Sequence, residues 1–236
     1  MAERIERIGM SVIVYDHALV DQMDVSMFAA AHRADVCVAR GPVAGRGAVA
    51  FIDVGGVKCV LRHYYRGGMI RRFVKDAFFW AGEPRTRSFA EWRLLAELCR
   101  RGLPVPQPVA ARYVRRGPWY TADLVTRCIP GVGSLAARLT EAPQGEAVWQ
   151  RVGAMIRRFH DARVCHADLN AHNIQIGANG DCHLLDFDRG RIMPGAGVWS
   201  ERNLTRLHRS LEKVSRITDA QFVDANWQAL MAGYGT

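Results

Sequence analysis

Residues 166–174 read HADLNAHNI, and residues 184–188 read LLDFD. Asn173 follows Asp168 by five positions, and the second stretch ends an apolar run on Asp186. Taken singly, these are ordinary turn, cap and strand-end residues, because Asp and Asn bond their own backbone in loops. Their setting is more specific. NIQIG and CHLLDFD flank ANGD, whose Asn179 and Gly180 suit the positive backbone angles of a tight hairpin turn. Asp168 and Asn173 therefore precede a small hairpin, and Asp186 closes it.

Reading outward, EAVWQRVGAMIRRFHDA just before this stretch places Val148, Val152, Met155 or Ile156, and Phe159 on one helical face, and after it the tail from Trp199 is again helical. Toward the N-terminus the character is β. Residues 34–64 give ADVCVAR, GAVAFIDV and VKCVLRHY, separated by GPVAGRG and GG, which is the punctuation of an antiparallel meander. In TRSFAEWRLLAELCRRG, Phe89, Trp92, Leu95, Leu98 and Cys99 recur at helical spacing, with Gly102 as the stop. The prolines of LPVPQPV remove donors and force a rigid extended connector. Two more strands follow around VAARYV and WYTADLVTRCI, with RRGP as their turn. The expectation is an α+β chain: five antiparallel strands and one main helix over 1–127, then a smaller, mostly helical part over 128–236.

The chain has 236 residues, enough for one compact unit with room for two lobes. Hydrophobic residues make up 49% and charged residues 23%, the balance of a folded globular protein. The net charge of +9, carried mostly by Arg, favours polyanionic partners: nucleic acid, phosphorylated metabolites or an anionic membrane surface. No recognition-helix motif, zinc module or RNA-binding signature is present, so nucleic acid is not the expected partner. No run approaches the roughly 18 apolar residues of a spanning helix, and MAERIERIGMSVIVYDHALVDQ lacks the pattern of a signal peptide. A cytoplasmic protein with reduced cysteines is expected. Of Cys165, His166, His172, Cys182 and His183, four fall in two adjacent pairs, 165/166 and 182/183, and not at zinc spacing.

The chemistry follows from the opening stretch. In order, distance and setting, its residues match the H-x-D-x-x-x-x-N catalytic loop and the later metal-binding Asp of a protein-kinase-like fold. Phosphoryl transfer needs a carboxylate to orient the attacking hydroxyl and accept its proton, a role that fits Asp168. It also needs hard oxygen ligands for Mg2+ against the nucleotide phosphates, which fits Asp186 and Asn173. His166 reads as a brace for the loop. The first part of the chain should then clamp the nucleotide. Gly41, Gly45 and Gly47 in GPVAGRG would let backbone N–H groups approach phosphates, although a plain hairpin loop reads equally well. Lys58 and Arg62 lie on one face of a strand, and Arg62 is the preferred phosphate contact. Glu91 has two open roles: partner of that cation, or closing residue of a capping box from Ser88.

VLRHYYRGG, EW, PVPQP, HADLNAHNI and LLDFDRGR together resemble the lipopolysaccharide-core kinases, over roughly residues 34–200. The resemblance implies a bilobal protein-kinase-like fold and ATP-dependent, Mg2+-assisted phosphorylation. The acceptor it implies is a 3-deoxy-D-manno-octulosonic acid (Kdo) hydroxyl, taken as O-4, on a Kdo–lipid A precursor at the cytoplasmic face of a Gram-negative inner membrane. It matches Asp168 to the catalytic base, Asn173 and Asp186 to the metal ligands, Glu91 to the helix acid, and Arg62 to a position usually held by Lys. Ala167 stands where many protein kinases carry Arg, and no APE segment follows DFD, so peptide recognition is not expected. Arg66, Arg71 and Arg72 are the acceptor-binding candidates, suited to bidentate contact with phosphates and carboxylates. The neighbouring Phe73, Phe78, Phe79 and Trp80 suit either the edge of an anionic bilayer, making the protein peripheral to the membrane, or the packing inside the lobe. A heptose acceptor and a basic binding protein with relic kinase loops remain the competing readings. Oligomeric state is not encoded.

Overall fold

The structure is a computed structural model and describes residues 2–32, 49–66, 76–218 and 222–235. It divides into two compact units, Met1–Glu97 with Gln107–Cys128, and Leu98–Pro106 with Ile129–Thr236.

The first unit is built on an antiparallel sheet: β1 (Glu3–Ile8), β2 (Ser11–Asp16), β3 (Val49–Val54), β4 (Val57–His63), β5 (Phe78–Phe79), β6 (Pro108–Arg116) and β7 (Trp119–Arg127). The order is β1-β2-β6-β7-β4-β3, with β5 paired to the start of β7. The five-stranded expectation is thus corrected to seven strands among the described residues. β2 is buried along its whole length and reads as a continuous apolar run, while β1 is an exposed, charged edge strand. Neither shows the clean alternation that marks a half-buried strand. The strand expected at 34–40 lies outside the described residues.

Alternation does govern β4, where Cys59, Leu61 and His63 are buried while Lys58, Val60 and Arg62 are more open. Cys59 and Leu61 pack with Ile13, Tyr15 and Phe28 in the core on one side of the sheet. The helix α1 (Arg87–Arg100) meets the Arg62 side through Glu91, and its Phe89 ring lies 5.1 Å from that of Tyr113. Phe89, Trp92, Leu95 and Leu98 of α1 are buried, as their spacing requires.

The second unit holds α2 (Leu135–Glu141), α3 (Glu146–Asp161), α4 (Trp199–Thr218) and α5 (Asp224–Tyr234). Its strands are short: β8 (Gly133–Ser134), β10 (Ile174–Ile176) and β11 (Cys182–Leu184) form one sheet, and β9 (Val164–Cys165) pairs with β12 (Arg191–Ile192). Ser134 caps α2 by accepting from the Ala137 N–H at 3.1 Å. In α3 Trp149, and not the expected Val148, heads the buried face with Val152, Met155, Ile156 and Phe159. α3 and α5 approach closely because a Cβ at Gly153 would collide with the Leu230 carbonyl, and one at Gly233 with the Gln150 carbonyl. The β10–β11 connection runs over five residues, 177–181, so Gly180 takes a positive φ of 77° but Asn179 does not. Among the described residues no helix is long and apolar enough to cross a membrane.

Candidate active site

Between β9 and β10 the chain forms the loop that carries His166, Asp168 and Asn173. The His166 ring is the hub. Its Nδ1 accepts the Asp168 N–H at 3.1 Å, so the ring proton sits on Nε2, which donates to the Leu185 carbonyl at 2.9 Å. Burial lowers the pKa of His166, against the Leu185 hydrogen bond and the nearby Asp186 and Asp168 charges, which favours this neutral tautomer. One imidazole thus joins the backbone of Asp168 to the residue preceding Asp186.

Asn173 closes the loop from the other side. Its Nδ2 donates to the Asp168 carbonyl at 2.9 Å, and its own carbonyl accepts the Leu185 N–H at 2.9 Å. With the amide nitrogen committed, Oδ1 is the atom left to bind a ligand. Asn170 Oδ1 takes the N–H groups of His172 and Asn173, which tightens the turn. Asp186 is exposed and holds φ at +62°, a conformation that costs a non-glycine residue energy and is found mainly where position matters. The next residue anchors it: Phe187 is fully buried, 4.8 Å from the His166 ring and 5.7 Å from Phe159. In this way Asp168, Asn173 and Asp186 are brought onto one hydrogen-bonded framework.

Helix α4 supplies contacts that the sequence reading missed. Asn203 bonds both backbone groups of His166, accepting from its N–H at 3.2 Å and donating to its carbonyl at 2.8 Å. Ser210 accepts the Ala171 N–H at 3.1 Å. Arg206 lies 3.3 Å from the Asp168 carboxylate, with both side chains more than half exposed. No local spacing links residues nearly forty positions apart, so only the helical period of α4 hinted at them.

The first unit carries a cluster of its own. Arg62 meets Glu91 at 2.5 Å, and Tyr64 Oη donates to the same Glu91 oxygen at 2.6 Å while accepting from Arg62 at 3.1 Å. Glu91 is almost wholly buried, and Arg62 is 22% exposed. The capping-box alternative fails because α1 begins at Arg87, before Ser88, whose hydroxyl donates to the Arg112 carbonyl. Lys58 is exposed on the same strand. The Arg66 guanidinium lies over the Phe78 and Trp119 rings, 5.6 and 5.5 Å from their centroids. Gly41, Gly45, Gly47, Arg71 and Arg72 lie outside the described residues.

A second buried network crosses three strands on the far face of the sheet: Asp123 accepts from Arg112 at 2.8 Å and faces His63 Nδ1 at 2.7 Å, while His63 Nε2 faces Asp76 at 3.2 Å. Burial resists the His63 charge, but the two carboxylates outweigh it and raise the pKa.

As a metal site, Asn173 and Asp186 offer only oxygen, the donor that Mg2+ prefers. Among the described residues no three His, Cys, Asp or Glu side chains gather to hold a metal alone. That composition fits an ion that takes its remaining ligands from phosphates and water.

A model of the lipopolysaccharide kinase (Kdo/WaaP) family matches residues 38–234. Among named relatives, 3-deoxy-D-manno-octulosonic acid kinase of Xanthomonas oryzae pv. oryzae is 44% identical over 228 residues, 96% of this chain and 90% of the relative. The kinase of the same name from Stenotrophomonas maltophilia is 43% identical over 226 residues, with the same coverage. The match spans both units and includes the loop, the hairpin and the Arg62–Glu91 pair. The chain belongs to the lipopolysaccharide kinase (Kdo/WaaP) family.

Proposed function

We propose that this kinase transfers the γ-phosphoryl group of ATP to a Kdo hydroxyl, O-4, of a Kdo–lipid A precursor. The observation that carries the reading is the His166-centred framework, which sets an exposed carboxylate, Asp168, beside an amide oxygen and a second exposed carboxylate, Asp186. The named relatives supply the acceptor class.

Asp168 orients the acceptor hydroxyl and takes its proton as the new O–P bond forms and the bond from Pγ to the β–γ bridging oxygen breaks, releasing ADP. Asn173 and Asp186 would hold Mg2+, which when bound neutralises charge on the phosphate oxygens. Arg62, fixed by Glu91 and Tyr64, contacts the nucleotide phosphates, with Gly45 and Gly47 as the backbone clamp. Arg66, Arg71 and Arg72 are acceptor contacts in this reading. The two units correspond to the lobes of a protein-kinase-like fold.

The same reading places the enzyme on the cytoplasmic face of the inner membrane of a Gram-negative cell, as a peripheral protein. Phe79 is 66% and Trp119 42% exposed, their rings 6.1 Å apart, with exposed Arg115 and Arg116 at the adjoining end of β6. Aromatic and basic groups together suit an anionic headgroup layer.

The test is transfer of labelled γ-phosphate from Mg-ATP to a lipid A precursor with Kdo and to the same lipid without it. Label on the Kdo-bearing lipid alone supports the proposal. Transfer only to a heptose-containing core would replace the acceptor and keep the kinase.

A further inference from the structure

Resting on the function proposed above, we infer that the exposed cationic stripe of α4, Arg202, Arg206, Arg209, Lys213 and Arg216, binds the phosphate and carboxylate groups of the acceptor and leads its sugar to Asp168. These residues recur at intervals of four, three, four and three, so at about 100° per residue they fall within one stripe roughly 80° wide. All five are exposed. Glu201 and Glu212 fall about 80–100° round the helix from the stripe's centre, on the flank away from Asn203 and Ser210.

Exposed basic helix faces are commonly no more than solvated surface. Position sets this one apart. Asn203, Arg206 and Ser210 touch His166, Asp168 and Ala171 in turn, so α4 runs alongside the catalytic loop. The stripe therefore passes the candidate base at Arg206, and from Arg202 to Arg216 it is about 21 Å long at 1.5 Å per residue.

The charge is also unspent. Among the described residues, Arg206 with Asp168 is the only ion pair that any of the five makes. An acceptor whose phosphates and carboxylates are spread over several sugars needs a row of donors and not one arginine, and Arg offers bidentate contacts to each group. Arg206 would release Asp168 to the incoming hydroxyl as it takes up an acceptor anion.

The test spares Arg206, which touches the catalytic carboxylate. In Arg209→Gln with Lys213→Gln, equilibrium binding is measured to a phosphorylated Kdo–lipid A precursor in neutral detergent, to the same lipid after removal of its phosphates, and to phosphatidylglycerol in the same detergent. The expected result is a loss of about tenfold or more for the phosphorylated precursor, a smaller loss for the dephosphorylated lipid, which keeps its Kdo carboxylates, none for phosphatidylglycerol, a matching rise in the precursor's KM, and a KM for ATP within about twofold of the parent. Arg209→Lys with Lys213→Arg should restore most of the binding. Unchanged affinity for the precursor would overturn the inference. So would an equal loss for phosphatidylglycerol, which marks adhesion to any anionic lipid. Binding is read without turnover, so a parent enzyme that binds but fails to phosphorylate the Kdo-bearing lipid would count against the proposed acceptor and not against the stripe.

Discussion

In the first unit Glu91, with a side chain 2% exposed, holds Arg62 and Tyr64 within the packing of α1 on the sheet, whereas in the second unit Asp168 stands 57% exposed on a loop braced by its neighbours' backbone bonds. The two acids carry the same charge but answer to different energies. A desolvated carboxylate is expensive to strand, so its partners are fixed in place. An exposed carboxylate contributes little to stability and stays accessible to a substrate. In the proposed function positioning is thus assigned to buried charge and chemistry to displayed charge, and the separation can be broken one side at a time.

The largest effect belongs to the displayed side. Asp168→Ala should lower turnover by about 10²–10⁴-fold while changing unfolding free energy by less than about 0.5 kcal/mol, read by steady-state kinetics and urea denaturation. Next is the buried side. Glu91→Ala removes the buried carboxylate oxygen that both Arg62 and Tyr64 bond, and should cost roughly 3 kcal/mol of stability. If both substitutions cost similar stability, the contrast fails.

Gly153→Ala tests packing with no charge involved. Its new methyl meets the Leu230 carbonyl of α5, and a loss of about 1–3 kcal/mol is expected by thermal denaturation. A neutral outcome would mean that α3 and α5 separate at little cost.

The smallest effect sharpens the comparison through pH. The raised pKa of His63 gives a contribution that is full below its unfolded value near 6.5 and fades as pH rises through the folded value. His160 has the opposite sign: burial beside Tyr234 and Trp199 pushes it down to about 4. Its neutral form is undemanding above about 6.5, and stability falls as pH drops from there toward 4. The stability difference between parent and His63→Gln should therefore shrink with rising pH, and that for His160→Gln with falling pH. Parallel trends in pH-dependent denaturation would contradict the assignment.

The loop and hairpin that carry Asp168, Asn173 and Asp186 were legible because their information is local: five positions from Asp168 to Asn173, then a hairpin, then Asp186. The Arg62–Glu91 pair was within reach since strand alternation and helical spacing set each face, and the competing capping role was settled only by where α1 begins. β1 and β2 escaped because an exposed charged edge and a wholly buried strand both lack alternation. The α4 contacts escaped for another reason. The spacing of its cations is plain in the sequence, but nothing local says that Arg206 reaches Asp168.

The most direct test of this division of labour compares Asp168→Asn with Glu91→Gln, measuring ATP affinity at equilibrium and the rate of phosphoryl transfer in a single turnover at saturating ATP and Kdo-bearing lipid. The account predicts that Asp168→Asn slows the single turnover by about 100-fold or more with ATP affinity unchanged, and that Glu91→Gln chiefly weakens ATP binding. A transfer rate preserved in Asp168→Asn would contradict it.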